Sequence, residues 1–166
     1  MFTINLVGQI DDSAVKSVQN LVASCSPAPD CLLLNISSTG GNVSSGIALY
    51  NYLKSLSFPI HTHNLGEVSS TAILPYLAGS VRTTEPVSKF MFHQMEVTIQ
   101  GSVPYPKLNE LLLILETDVK NYAAIVEVEL PDFAKEHDIV SLLKTSCFVL
   151  TANEARECGL TTGEPT

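Results

Sequence analysis

Two adjacent serines, Ser69 and Ser70, stand ahead of an apolar run from Ala72 to Ala78, with Gly66 before them and Gly79 closing the run. A hydroxyl placed there would sit at the mouth of a buried helix, where small neighbours let backbones approach closely. The helix start would offer free N–H groups and partial positive charge to an anionic intermediate. The plainer role for the same serine is an N-cap on a core helix. Upstream, Gly40-Gly41 lies between an apolar run and a predicted helix and can present bare N–H groups to a phosphate, an oxyanion or an extended peptide. It lacks the Lys-Ser/Thr ending of a P-loop. Downstream, His93 closes the apolar run Phe90-Met91-Phe92. Glycine pair, serine and histidine arrive in that order. Folding can join one of the serines and His93 into a nucleophile–base pair, with the N–H groups of Gly40 and of the residue after the serine (Thr71, if the serine is Ser70) as an oxyanion hole.

The remaining titratable groups are less informative. His61 and His63 share one side of a predicted strand, but two histidines without a third ligand make a poor metal site, so no metal is expected. His137 lies among charged residues and is expected to be solvated. Asp11, Asp12, Asp118, Asp132 and Asp138 have no telling context.

The elements that must position these residues alternate between strand and helix. Phe2 to Leu6 reads as a strand, and Asp11 or Asp12 caps a helix carrying Val15, Val18, Leu21 and Val22. Cys31 to Ile36 reads as a strand buried on both faces. A helix from about Ser44 to Leu56 follows, then a strand over Pro59 to His63 that ends before Gly66. The helix after the serines spans about Ser70 to Ala78. Arg82 to Pro86 reads as a polar turn. The longest helix begins near Pro104 and Pro106 and stops at Pro131. Its stripe is Leu108, Leu111, Leu112, Leu115, Val119, Tyr122 and Val126; Leu113, Ile114 and Ile125 form a second apolar face, one for another subunit to cover. A short helix is expected over Phe133 to Leu143, a strand over Cys147 to Leu150, and a last helix over Ala152 to Cys158, capped by Thr151. This pattern predicts an α/β fold with largely parallel pairing, in one domain over residues 1–166.

Composition narrows the partners. The chain has 166 residues, 45% of them hydrophobic and 16% charged, which suggests apolar surface covered by copies of itself. A formal charge of −8 argues against nucleic acid and anionic membrane as partners. No apolar run reaches the ~18 residues of a membrane span, and the N-terminus lacks the features of a signal peptide. Cys25, Cys31, Cys147 and Cys158 show no Cys-x-x-Cys spacing, which fits reduced thiols in a cytoplasmic protein.

The ordered motifs resemble the proteolytic subunit of the Clp protease, ClpP. Leu34 to Asn51 resembles the family's stretch around its Gly-Gly turn. Gly66 to Gly79 resembles the nucleophile segment and points to Ser70 rather than Ser69. Phe90 to Gln94 resembles the segment carrying the base, which is then His93, and Thr151 to Leu160 resembles the closing helix. The resemblance implies a ClpP/crotonase-like ββα superhelix with a protruding handle helix. It further implies a serine endopeptidase acting on extended peptides or unfolded proteins, with Gly41 and Asn42 contacting substrate. It also implies a homo-oligomer built as a heptameric ring or double ring, and no cofactor.

Three departures accompany it. Cys147 stands where the family has its triad Asp, and an acid there orients the histidine. Asp138, a backbone carbonyl or water would then have to substitute. The chain begins almost on its first strand, so the segment that forms axial loops against an ATPase ring is nearly absent. Thr39 stands for Pro, and Thr71-Ala72 for Met-Gly, which leaves the Thr71 N–H intact. The first two departures favour an alternative reading, a weak or inactive subunit with an assembly or regulatory role. A crotonase acting on acyl-thioesters fits less well, because that family uses no Ser–His pair.

Overall fold

The computed structural model describes residues 1–163. In chain order the elements are β1 (Phe2–Val7), α1 (Asp12–Ala23), β2 (Leu32–Ser38), α2 (Val43–Ser55), β3 (Ile60–Ser69), a 3₁₀ turn (Ser70–Ala72), α3 (Ile73–Leu77), β4 (Val81–Thr84), β5 (Lys89–His93), α4 (Tyr105–Glu129), α5 (Pro131–Glu136), α6 (Ile139–Thr145), β6 (Cys147–Thr151) and α7 (Ala152–Glu157). The strands form one sheet in the order β1-β2-β3-β5-β6, with β4 also paired to β3. Pairing is parallel except between β5 and β6. This is the expected α/β arrangement.

On β2, Leu32, Leu34 and Ile36 are fully buried, while Leu33 and Asn35 between them are half-buried. Covering the sheet removes apolar side chains from water at roughly 1.5–3 kcal/mol each. Asp11, rather than Asp12, caps α1 by accepting the Ala14 N–H at 2.8 Å. Thr151 and Glu154 form a reciprocal capping box on α7.

Four expectations are corrected. First, β3 does not end before Gly66 but continues to Ser69. It has two successive neighbours on one edge: β4 along His61 to Asn64, then β5 along Glu67 to Ser69. Gly66 lies between them, its N–H taken by the Asn64 side chain at 2.9 Å. Second, the polar stretch after Val81 is a buried strand, not a turn. Arg82 donates to the carbonyls of Leu160, Gly159 and Gly79, and the Tyr76 hydroxyl donates to the Thr83 carbonyl. Polar groups tolerate burial when they are paired.

Third, the helix expected over Phe133 to Leu143 is two helices. The break falls at His137-Asp138, where Asp138 accepts the Ser141 N–H as the N-cap of α6. His137 is half-buried and not fully solvated; its ring centroid lies 4.2 Å from that of Phe133 and 5.1 Å from that of Phe148. Fourth, the stripe of α4 is buried only in its second half, at Val119, Tyr122, Ala123 and Val126. Leu108, Leu112, Leu113 and Ile114 are exposed, so none of the described residues covers them. At 1.5 Å per residue α4 is about 37 Å long, and its first half stands clear of the core.

Candidate active site

Ser70 leaves the end of β3 at φ +54° and is the only non-glycine with positive φ among the described residues. That conformation costs a residue with a Cβ about 1–2 kcal/mol, so the surroundings must enforce it. Three contacts do so. The Tyr122 hydroxyl donates to the Ser70 carbonyl at 2.9 Å. Thr71 Oγ1 donates to the Gly41 carbonyl at 3.1 Å. Gly40, at φ +101°, lies so close that a Cβ on it would stand 2.7 Å from Ser70 Cβ and 2.9 Å from the Ser69 carbonyl oxygen. Tyr122 is fully buried, and burial raises its phenol pKa well above the ordinary value, so it remains a donor.

The expected helix start is therefore different in kind. Neither serine is a side-chain N-cap: the 3₁₀ turn has no cap hydrogen bond, and Ser69 Oγ donates to Glu67 Oε1 at 2.8 Å. Ser70 Oγ, half-exposed, has no hydrogen-bond partner among the described residues. The Thr71 N–H opens the turn and has no intrahelical acceptor.

The glycine pair divides its duties in a way the sequence does not reveal. Gly40 is buried and donates its N–H to Ser38 Oγ at 3.1 Å. That bond occupies the N–H expected to hold an oxyanion. Gly41 forms a parallel bridge with Ile10, built from Ile10 N–H to the Gly40 carbonyl and Asn42 N–H to the Ile10 carbonyl. Gly41's own N–H takes no part in that bridge and is unpaired among the described residues. Gly41 is also exposed on the cavity that Ser70 lines. Asn42, expected to contact substrate, uses its side chain to cap α2 through the Ser45 N–H.

His93 ends β5 and lines the same cavity. Its Nδ1 lies 2.7 Å from the Gln94 carbonyl oxygen. A carbonyl only accepts, so Nδ1 carries the proton, and in the neutral ring Nε2 is left with its lone pair. No hydrogen bond joins His93 to Ser70 among the described residues. Directly opposite His93 in the antiparallel register is Cys147, exposed and free. Side chains so paired have Cβ atoms about 4.5–5.5 Å apart. Cys147, which the resemblance sets at the place of the family's triad acid, is thus the cross-strand neighbour of His93. Asp138 is committed to capping α6.

The cavity has a volume near 400 Å³. Gly41, Ser70, Thr71 and His93 mark its reactive end, and Met95, Leu111, Ile114 and Leu115 make an apolar wall. Asp118, on the same helix, and Glu96 also line the cavity. Burial pushes the Asp118 carboxyl above the ordinary carboxylate value. Tyr122 and Asp118 were not recognised as site residues from the sequence. The available signal was an Asp in an otherwise apolar helical face running Leu111, Ile114, Leu115, Asp118, Tyr122. Among the described residues, no group of three His, Cys, Asp or Glu is arranged to hold a metal, and no helix is long and apolar enough to cross a membrane.

A family model for Clp protease matches residues 1–162. The chain belongs to the Clp protease family. One relative, the ATP-dependent Clp protease proteolytic subunit of Pleurastrum terricola, is 30% identical over 102 residues, covering 59% of this chain and 52% of that protein. Subunit 1 of the same protease from Chlamydia pneumoniae is 28% identical over 130 residues, covering 77% and 66%. The chain thus matches between half and two thirds of the length of these relatives. A solved structure, a point mutant of ClpP1 from Listeria monocytogenes, superposes with a TM-score of 0.83 at 20% identity, covering 98% of this chain and 90% of the other. At that identity the likeness is one of fold, and it matches the family fold expected from the motifs.

Proposed function

We propose that this family member is a serine endopeptidase with Ser70 as nucleophile and His93 as general base, acting on extended peptides or unfolded protein within an oligomer of identical subunits. The observation that carries this reading is the strained Ser70 elbow, opening onto the same cavity as His93 with the Thr71 and Gly41 N–H groups left without partners. Nε2 takes the proton as Ser70 Oγ bonds to the scissile carbonyl carbon. The resulting oxyanion is held by Gly41 and Thr71 N–H in place of the Gly40 and Thr71 pair. The proton then passes to the leaving amine as the C–N bond breaks, and water repeats the sequence on the acyl-serine. The Gln94 carbonyl does part of an acid's work: it fixes the tautomer but adds no negative charge to stabilise the imidazolium.

The apolar face of α4 supports homo-oligomer formation, as does the low charge content. We place the protein in the cytoplasm, with its four thiols free. The decisive test is a fluorophosphonate probe read by intact mass and peptide mapping, with light scattering on the same sample. One label on Ser70, lost in Ser70→Ala, is the expected result from particles larger than a monomer. No label on a folded, assembled sample excludes the peptidase. A second reading, a subunit retained for assembly with little turnover, is favoured by Cys147 facing His93; it predicts labelling of Ser70 with negligible peptide hydrolysis.

A further inference from the structure

The peptidase reading says nothing about which residue is accepted before the scissile bond, and the cavity wall bears on it. A side chain attached to the carbonyl carbon under attack at Ser70 must enter the space beside the nucleophile. That space is walled by Leu111, Ile114 and Leu115, three residues on one face of α4. The same face continues to Asp118 and, one turn later, to Tyr122, whose hydroxyl holds the Ser70 carbonyl at 2.9 Å. One helical turn is about 5.4 Å, so the Asp118 carboxylate is set about one turn along α4 from the tether on the nucleophile.

Asp118 makes no hydrogen bond or ion pair among the described residues, although it is half-buried. Desolvation raises its carboxyl pKa, with no cation to offset it. Glu96 is the second charged group on the cavity, and no Lys or Arg lines it. An aliphatic wall ending in an unpaired carboxylate suits a side chain with a long apolar stem and a cationic head.

We infer that Asp118 is a specificity-determining residue that selects Lys or Arg on the acyl side of the scissile bond. This rests on the peptidase reading. A leucine side chain would cover the aliphatic wall but leave Asp118 unpaired, and an acidic side chain would meet two carboxylates of its own sign. A charge-assisted contact of this kind is worth roughly a 10- to 100-fold preference.

Asp118 also borders a shallower hollow on α4 with Glu110, Leu113 and Thr117. The competing role is an ion pair with a neighbouring copy, and the test separates the two. Peptidyl diphenylphosphonates differing only in the residue bonded to phosphorus (Lys, Leu or Glu analogues) phosphonylate a serine: Oγ bonds to phosphorus and phenol leaves, with no turnover needed. A fluorophosphonate with no side chain serves as the reference.

The assembled wild-type protein is expected to react with the Lys probe at least about tenfold faster than with the Leu probe, and slowest with the Glu probe. Asp118→Asn, nearly isosteric, removes the Lys advantage when each probe's rate is taken as a ratio to that of the reference probe on the same variant. Asp118→Lys reverses the order of the Lys and Glu probes. Equal or faster reaction of the Leu probe in wild type overturns the assignment while leaving the peptidase standing. The same holds if Asp118→Asn changes particle size and not the probe ratio. Failure of the reference probe to label Ser70 overturns the peptidase reading and this assignment with it.

Discussion

The two sides of the cavity that holds Ser70 and His93 are built to different standards. On the Ser70 side the backbone is held from within: Gly40 is buried under Ser70, Tyr122 is sealed in the core with its hydroxyl on the Ser70 carbonyl, and Thr71 is tied to Gly41, while Ser70 is half-exposed and Gly41 exposed on the cavity. On the base side, His93 is half-buried at a strand end. Its partner strand offers an exposed thiol, and its one hydrogen bond is to the exposed neighbour Gln94. The contrast teaches that this chain alone fixes the backbone at Ser70, the nucleophile of the proposed reading, and leaves the Gly41 and Thr71 N–H groups unpaired among the described residues. The orientation of the base is left to a single backbone carbonyl. Electrostatic preorganisation is usually the largest catalytic contribution, so retaining that half preserves Ser70 as a reactive group even where turnover is slow.

The largest effect is expected from breaking the Ser70 side. Gly40→Ala would drive a methyl group into Ser70 Cβ and the Ser69 carbonyl at a left-handed backbone position. Labelling of Ser70 should fall by roughly 10³-fold or more, with a loss of about 2–4 kcal/mol in denaturant unfolding. Wild-type labelling and stability in this variant would remove the basis of the comparison.

The exposed side should respond by gaining. Cys147→Asp places a carboxylate opposite His93 in the register already present. Peptide-ester hydrolysis should rise about 10- to 100-fold with the melting temperature unchanged. This is less than the full ~10⁴ attributed to a triad Asp, because the Gln94 carbonyl already sets the tautomer. No gain in a correctly assembled variant would mean that the base is not the deficient half.

The smallest effect sharpens the boundary between the two sides. Tyr122→Phe leaves the ring and removes the donor on the Ser70 carbonyl. Stability should drop by about 1–2 kcal/mol, the usual cost of an unsatisfied buried acceptor. Phosphonate labelling should slow about tenfold while the exchange behaviour of His93, followed by NMR, stays as in wild type. A change confined to His93 would show that the halves are coupled and not separately built.

Much of this division was legible in the sequence, though unevenly. The serine pair and His93 were identifiable from local features, an apolar helical run after the serines and an apolar strand closed by the histidine, and the resemblance singled out Ser70. The identity of the free glycine N–H was not, because it depends on Ile10, which bridges to Gly41 from a distant part of the chain. β4 was hidden because its polar residues are stable only against the carbonyls of Gly159 and Leu160. The true end of β3 was hidden because Gly66 reads as a terminator until both β4 and β5 are in place. Asp118 carried a visible signal, a charge within an apolar stripe. Without the cavity, that charge reads as an ordinary surface residue.

The tether on the nucleophile also has a consequence for when the cleft comes into being. Tyr122 and Ser70 are 52 residues apart, and Thr71 and Gly41 are 30 apart. No short stretch of the chain can form the elbow by itself, and loops of that length close only after slower, non-local ordering. During synthesis Ser70 therefore emerges well before the residue that holds its carbonyl. A nascent chain carries a slack serine, and the strained elbow arrives only with the far half of α4.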